Sequence, residues 1–399
     1  MLTKIKQLIE KNKLMKGIAT VCFFCFSKIV SLIFLVFRIF PINDQKIVAC
    51  NMKGKRYGDN PMYITDELLH DGFDIVWLLR EDVDAEIPEQ IRREKYGFWK
   101  NIYELSTAKI WIDSNTKYAG TLKRKKQIFI QTWHGSYGLK KTGSDLGDNL
   151  SLIDRVFISH SGKIADIMVS NSRMTTEMFH RSFWFDGEVI EKGSPRNDIF
   201  FANCDDVIEK VRKFYNITNQ KIVLYAPTFR NNYAVDCFNI DYAKLRQSLS
   251  DRFGGEWVVL IRLHPNNIGE AKSFYEYSDN IVNASDYSVM QELLVASDIL
   301  ITDYSSSMFD FATTKKPCFL YATDIEDYNF VRGCYFDIRD LPFPLATNNE
   351  EMANVIRTFD DNKYKSDLEL LFEKVGLNET GKASKEVAEY IRCHMEKKL

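Results

Sequence analysis

Ser297-Asp298-Ile299-Leu300-Ile301-Thr302-Asp303-Tyr304-Ser305-Ser306-Ser307-Met308-Phe309-Asp310 is the stretch that decides the fold. An apolar run of buried-strand type breaks into small hydroxylated residues where a helix begins. In open α/β sheets, ligands bind where strands end and helices start. Hydroxyls beside free backbone N–H groups at such an edge suit a phosphate. A second stretch, Gln131-Thr132-Trp133-His134-Gly135-Ser136, leaves its strand in the same way but puts a histidine at the edge.

Working outward, the same alternation recurs. Short apolar runs bounded by polar or glycine-containing segments read as strands at 46–50, 74–79, 109–113, 127–132, 155–159 and 188–191. A second set lies at 221–226, 256–263, 280–283, 298–303 and 317–321. Residues 61–70 read as a helix with Pro61 near its first turn. Between the sets, the Gly-Ser-Pro run at 193–198 reads as a hinge. Two successive sets predict an α/β chain with two Rossmann-like domains facing across a cleft. The expected divisions are 1–40 as a membrane-associating helix, 41–198 as an acceptor-binding domain, and 199–399 as a donor-binding domain with C-terminal helices.

Composition narrows the function. The chain has 399 residues, 45% hydrophobic and 27% charged, with a net charge of −2. That is ordinary globular composition, and it gives no general case for nucleic acid binding. Of eight cysteines, only Cys22 and Cys25 form a Cys-x-x-Cys pair, inside an apolar segment. Reduced thiols on the cytosolic side fit this pattern better than zinc.

Residues 18–40 are strongly apolar, interrupted by Ser27, Lys28, Ser31 and Arg38, and preceded by Lys4, Lys6, Lys11, Lys13 and Lys16. The run is long enough to span a bilayer. Lys28 near its middle would cost about 2.5–3.5 kcal/mol at the bilayer centre, which a helix lying in the interface avoids. A spanning helix, an interfacial anchor and a core-packed helix all stay open. Lys123-Arg124-Lys125-Lys126 fits either contact with anionic lipid or a solvated turn.

The two opening stretches, with Gly193-Ser194-Pro195-Arg196-Asn197-Asp198, Tyr225-Ala226-Pro227-Thr228-Phe229-Arg230 and Ile261-Arg262-Leu263-His264-Pro265, carry a resemblance. In this order, over about residues 46–358, they resemble the CDP-glycerol glycerophosphotransferase family, which builds teichoic acids and related polymers on bacterial membranes. The resemblance implies a GT-B-type pairing of the two domains. It also implies attack by an acceptor hydroxyl on the β-phosphorus of a CDP-polyol, with release of CMP. The family's usual proline shortly after the Trp-His-Gly glycine is missing from Gly135-Ser136-Tyr137-Gly138.

Such transfer needs a base for the nucleophile and positive charge on the phosphates. His134 is the candidate base, because neutral imidazole accepts a proton at cellular pH. A structural histidine is the competing reading. Arg262 and His264 alternate onto one strand face, where they suit a pyrophosphate or the leaving phosphate. A buried arginine paired to a carboxylate is the alternative. Ser305 and Ser306 either cap a helix or meet a phosphate, or do both. The resemblance assigns Asp310 to glycerol or ribose hydroxyls; Pro227 and Thr228, on the loop after the 221–226 strand, are expected to contact cytosine or ribose. Arg196 in the hinge is expected to reach the pyrophosphate. Trp133, Gly135, Ser136 and Leu263 complete the expected substrate contacts. Asp59, Asn60 and Asp113 are acceptor-side candidates, with Lys55 or Arg56 near a lipid-linked phosphate.

No His/Cys cluster or P-loop occurs, so no tightly bound cofactor or metal is expected, beyond Mg²⁺ carried by the donor pyrophosphate. The expected partners are CDP-glycerol or CDP-ribitol, a lipid-linked acceptor and the cytoplasmic face of the bacterial membrane. A ribitol-phosphate transferase and a nucleotide-sugar glycosyltransferase of the same architecture remain as rivals.

Overall fold

The computed structural model describes residues 13–83, 85–135, 137–228, 239–263, 277–326 and 333–396. Among them, two parallel sheets follow one another. The first holds β1 (Asn43–Cys50), β2 (Asp74–Leu79), β3 (Ile91–Lys95), β4 (Ala108–Asp113), β5 (Ile128–Gln131), β6 (Ile167–Ser170) and β7 (Glu188–Glu191), in the order β3-β2-β1-β4-β5-β6-β7. The second holds β8 (Lys221–Tyr225), β9 (Trp257–Ile261), β10 (Ile281–Asn283), β11 (Ile299–Thr302), β12 (Cys318–Tyr321) and β13 (Leu345–Ala346), in the order β10-β9-β8-β11-β12-β13.

The helices are α1 (Lys13–Val36), α2 (Asp59–Asp66), α3 (Phe98–Thr107), α4 (Leu152–Ile164), α5 (Arg173–Ser182), α6 (Asp205–Phe214), α7 (Tyr242–Phe253), α8 (Met290–Ala296), α9 (Ser307–Ala312), α10 (Asn349–Arg357), α11 (Asp361–Val375) and α12 (Ala383–Glu396). Helices cover both sheet faces, so central strands such as β4 and β9 are buried along their whole length. Strand order reverses between β1 and β4, and again between β8 and β11. The crevices at those two points are where such sheets bind ligands.

The expected strand at 155–159 is instead the middle of α4. Ser151 accepts a hydrogen bond from the Asp154 amide at 3.1 Å and donates one to its carboxylate at 2.7 Å. This capping pair starts a helix, and it outweighs the local Val-Phe-Ile run. The strand that belongs to this part of the sheet is β6, further along the chain. The edge strand β3 has only Ile91 buried. Its Arg-Arg-Glu-Lys sequence protects an open edge and leaves no apolar run to read.

The expected hinge at 193–198 is a clamped segment. Pro195–Phe201 form a 3₁₀ helix, in which Pro195, Arg196 and Asn197 are buried. Gly193 has φ +120°, and a Cβ there would lie 2.7 Å from the Glu379 carboxylate. The same carboxylate accepts from the Ser194 amide at 3.0 Å.

The last helix does not stay with the second sheet. α12 packs on α2, burying Val387, Ala388 and Ile391 completely. Arg392 bonds the Asp71 carboxylate at 2.7 Å and the Glu67 carbonyl at 2.6 Å.

At the other end, α1 docks on the first domain by one face. Val30 and Phe34 are buried, and Phe23 meets Phe157 with ring centroids 5.1 Å apart. Gly120 permits this approach, since a Cβ there would lie 2.2 Å from the Ser27 carbonyl. The opposite face leaves Val21, Ile29, Leu32 and Leu35 exposed, so a helix packed inside a soluble core is ruled out. Within the basic stretch, Lys123 pairs with Asp166 at 2.6 Å, and Arg124 donates to the Phe37 and Phe40 carbonyls at 3.0 and 2.8 Å. Only Lys125 and Lys126 of that stretch are exposed.

Candidate active site

The C-terminal edges of β4 and β5 place His134. β5 ends at Gln131, whose side chain accepts from the Trp133 amide at 3.0 Å. That bond accompanies a left-handed turn at Trp133, φ +53°. Non-glycine residues in this region carry strain of about 1–3 kcal/mol. Neighbouring groups hold the turn in place. Asn60 donates to the Thr132 and Trp133 carbonyls, both at 3.2 Å, and the Trp133 ring packs edge-on to Phe183. A Cβ at Gly135 would lie 3.1 Å from the indole nitrogen.

His134 Nδ1 lies 2.9 Å from the Ser114 carbonyl oxygen at the neighbouring strand edge. A carbonyl only accepts, so Nδ1 carries the proton and Nε2 presents its lone pair. The imidazole is therefore oriented as a base, with a fixed tautomer.

Arg196 ties this edge to the second domain. Its Nη1 donates to Asp59 at 2.9 Å and to the His134 carbonyl at 2.8 Å, and its Nη2 pairs with Asp310 at 2.9 Å. Its main-chain amide donates to Asn60 Oδ1 at 3.1 Å. Burial opposes the guanidinium charge, but Asp310 and Asp59 outweigh it and hold the group above its usual range. Arg196 was expected to reach the pyrophosphate and Asp310 a sugar hydroxyl. In the structure the two are engaged with each other, two carboxylates from the two domains sharing one buried cation.

The Asn197 amide extends this junction by donating to Asp310 at 3.2 Å and to Glu379 at 2.8 Å. Sequence reasoning missed Glu379. Burial pushes its carboxyl up to about 7, against bonds from Asn171, Asn197 and Ser194. It stands in a polar segment with no motif around it, so only the folded chain reveals it.

On the second domain, the Asp303 carboxylate accepts from the Thr228 amide at 2.9 Å. Thr302 also donates to the Ala226 carbonyl at 2.7 Å. These bonds draw the loop of Pro227 and Thr228 against the β11 edge. Ser306 is the residue before α9 and makes no side-chain capping bond, while Ser305 accepts from the Ser307 hydroxyl at 2.8 Å.

Arg262 is buried, and its Nη1 donates to the Tyr287 carbonyl at 2.6 Å. It has no carboxylate partner among the described residues, contrary to the alternative reading of a buried ion pair. Its Nη2 is buried without a hydrogen-bond partner among them. Burial and the nearby Arg56 push its guanidinium down to about 9. An uncompensated, partly unsatisfied cation of this kind is what an anionic ligand would relieve. Leu263 is buried, and its amide donates to Ser285 at 3.1 Å, which places it in the support of this edge.

His264 and Ser136 lie outside the described residues. Asp113 is buried and paired with Lys117 at 2.6 Å, and burial raises its carboxyl. The structure thus gathers Asp59, Asn60, Trp133, His134, Arg196 and Asp310 into one bonded network. Asp113 lies near enough to His134 for the imidazole to act on its carboxyl, and Arg262 has Arg56 nearby. Among the described residues, no three His, Cys, Asp or Glu side chains converge as a metal site requires.

The family model for CDP-glycerol:poly(glycerophosphate) glycerophosphotransferases matches residues 32–392. The chain belongs to this family. The resemblance read from five short stretches is thereby borne out, and with it the assignment as a glycerophosphotransferase. A teichoic acid poly(glycerol phosphate) polymerase of Bacillus spizizenii is 29% identical over 379 residues, covering 91% of this chain and 95% of that one. A polymerase of the same description from Staphylococcus epidermidis is 29% identical over 372 residues; this chain spans only 51% of its length. Other relatives are named for ribitol phosphate. A solved structure of the wall teichoic acid polymerase TagF, a His-to-Asn variant soaked with CDPG, superposes with TM-score 0.78 at 27% identity. It covers 89% of this chain and 90% of that one. The two-domain architecture is therefore that of a glycerophosphotransferase.

Proposed function

We propose that the chain transfers glycerol phosphate from CDP-glycerol to a hydroxyl of a lipid-linked acceptor, at the cytoplasmic face of the membrane, during teichoic acid synthesis. The observation that carries this reading is the His134 tautomer, with Nδ1–H fixed on the Ser114 carbonyl and Nε2 free to accept. The acceptor hydroxyl gives its proton to Nε2 as its oxygen bonds to the β-phosphorus. The phosphorus–oxygen bond to CMP breaks, and CMP leaves with the electron pair. Arg262, whose Nη2 has no hydrogen-bond partner among the described residues, supplies charge to the phosphates. Asp59 and Asp310 both pair with Arg196, and among the described residues no cluster suits a metal. Any Mg²⁺ travels with the donor. The exposed face of α1 holds the protein at the membrane.

The test is turnover of CDP-glycerol with a glycerol-phosphate-primed lipid acceptor, read by mass spectrometry, beside CDP-ribitol and UDP-N-acetylglucosamine. His134→Ala should lower turnover about 10²–10⁴-fold while donor affinity stays within a few-fold. Near-full turnover in the variant removes His134 as the base. Preferential use of CDP-ribitol, or of the sugar nucleotide, replaces the donor.

A further inference from the structure

A cavity of about 490 Å³ lies between α1 and the first sheet, lined by residues of the first domain, His134 among them. Its volume is in the range of small-ligand sites, about 300–1,000 Å³. Its lining is mixed. Hydrocarbon comes from Phe26, Val30 and Phe34 of α1 and from Ile102 and Leu105 of α3. Polar groups come from His134, Lys117 and Lys53 among others. Lys117 is neutralised by Asp113, whereas Lys53 is exposed and makes no ion pair with any described residue.

The surroundings say what such a cavity is for. Its apolar wall is the inner face of a helix whose outer face leaves Ile29, Leu32 and Leu35 exposed. Phe98, Trp99 and Tyr118 stand exposed beside the same helix, and Phe98 and Tyr118 also line the cavity. Exposed aromatics next to an apolar helix mark the level of lipid head groups. The cavity is thus continuous with the surface that would enter the membrane, and it runs from there to the candidate base.

We propose that this cavity receives the hydrocarbon chain of a single-chain lipid phosphate, the acceptor itself, and delivers its head-group hydroxyl to His134. The volume suits one chain and a linking phosphate, not a two-chain phospholipid. Lys53 would meet the phosphate where the chain gives way to the head. The proposal rests on the acceptor reading given above and adds the place where the lipid lies.

The experiment has two arms, so that failure of one is not failure of the other. The binding arm uses the full-length protein and farnesyl phosphate, measured by calorimetry without donor or turnover. Val30→Trp and Leu105→Trp fill the cavity from opposite walls, and each is checked for folding by its melt. Either folded variant should bind farnesyl phosphate at least ten-fold more weakly than wild type. Should both variants unfold, Lys53→Ala, at an exposed position, takes their place with a weakening of at least three-fold expected. The turnover arm compares two acceptors with the same glycerol phosphate head, one with a C15 tail and one without. Wild type should favour the tailed acceptor at least ten-fold in KM, and the filled variants should bring the ratio near one. Unchanged farnesyl phosphate binding in the folded variants overturns the proposal, as does equal competition by phosphatidylglycerol vesicles. Absence of turnover with both acceptors, with binding as described, overturns the acceptor reading and leaves the lipid site standing.

Discussion

Replacing Arg196 with methionine separates a structural tie from a substrate contact. The guanidinium contributes three bonds of 2.8–2.9 Å, to Asp59, to Asp310 and to the His134 carbonyl. Methionine keeps most of the volume and removes all three. Asp310, whose side chain is 4% exposed, then loses its pairing with this guanidinium. Breaking a buried ion pair from one side costs about 3–5 kcal/mol. At about 2–4 °C per kcal/mol for domains of this size, the apparent Tm should fall by roughly 6–20 °C. Adding Asp310→Asn should restore part of that loss, because the buried charge is gone. Circular dichroism melts give the stability, and calorimetry with CDP-glycerol gives the affinity. Turnover should fall as well, since the carbonyl that anchors the His134 turn loses its donor. A Tm within 2 °C of wild type, together with donor affinity weakened ten-fold or more, would refute the reasoning and return Arg196 to the pyrophosphate.

Two more outcomes follow from the same geometry. Arg262→Ala should weaken CDP-glycerol binding roughly ten- to hundred-fold, since a charge-assisted bond contributes about 1.5–3 kcal/mol; calorimetric affinity equal to wild type in the folded variant counts against it. Glu379 is held up near 7 from an ordinary 4.5, so the folded chain keeps this proton more tightly than the unfolded one. Its contribution to stability is full below about pH 4.5 and is lost as pH rises through about 7, up to roughly 3 kcal/mol. Glu379→Gln should flatten the decline in Tm between pH 5 and pH 8, and parallel wild-type and variant curves would reject the assignment.

The strands around both opening stretches were legible because a parallel sheet writes itself as short apolar runs, each ending in polar or small residues. β2 and β7 fall on the residues expected. α4 was misread because Val156, Phe157 and Ile158 look like a strand until Ser151 and Asp154 are seen as a cap. His134 was legible as a position, but its role depends on a carbonyl 20 residues away in the chain. Arg196 and Asp59 are 137 residues apart, and Ser194 and Glu379 are 185 apart. Pairings at that range leave no local pattern. A hinge-like Gly-Ser-Pro run therefore concealed the most heavily bonded part of the junction.

The packing of α12 over α2 has a consequence for how the protein is made. α2 begins with Asp59 and Asn60, which hold Arg196 and the Trp133 turn. About 190 residues separate the end of β7 from the start of α12. At the ribosome's pace of about 5–20 residues per second, that gap lasts roughly ten to forty seconds. Through that interval the first sheet can form, while the patch of α2 that α12 covers stays open. A nascent chain is therefore unfinished at its candidate catalytic edge until its last helix emerges, and it is then that a chaperone has a surface to hold.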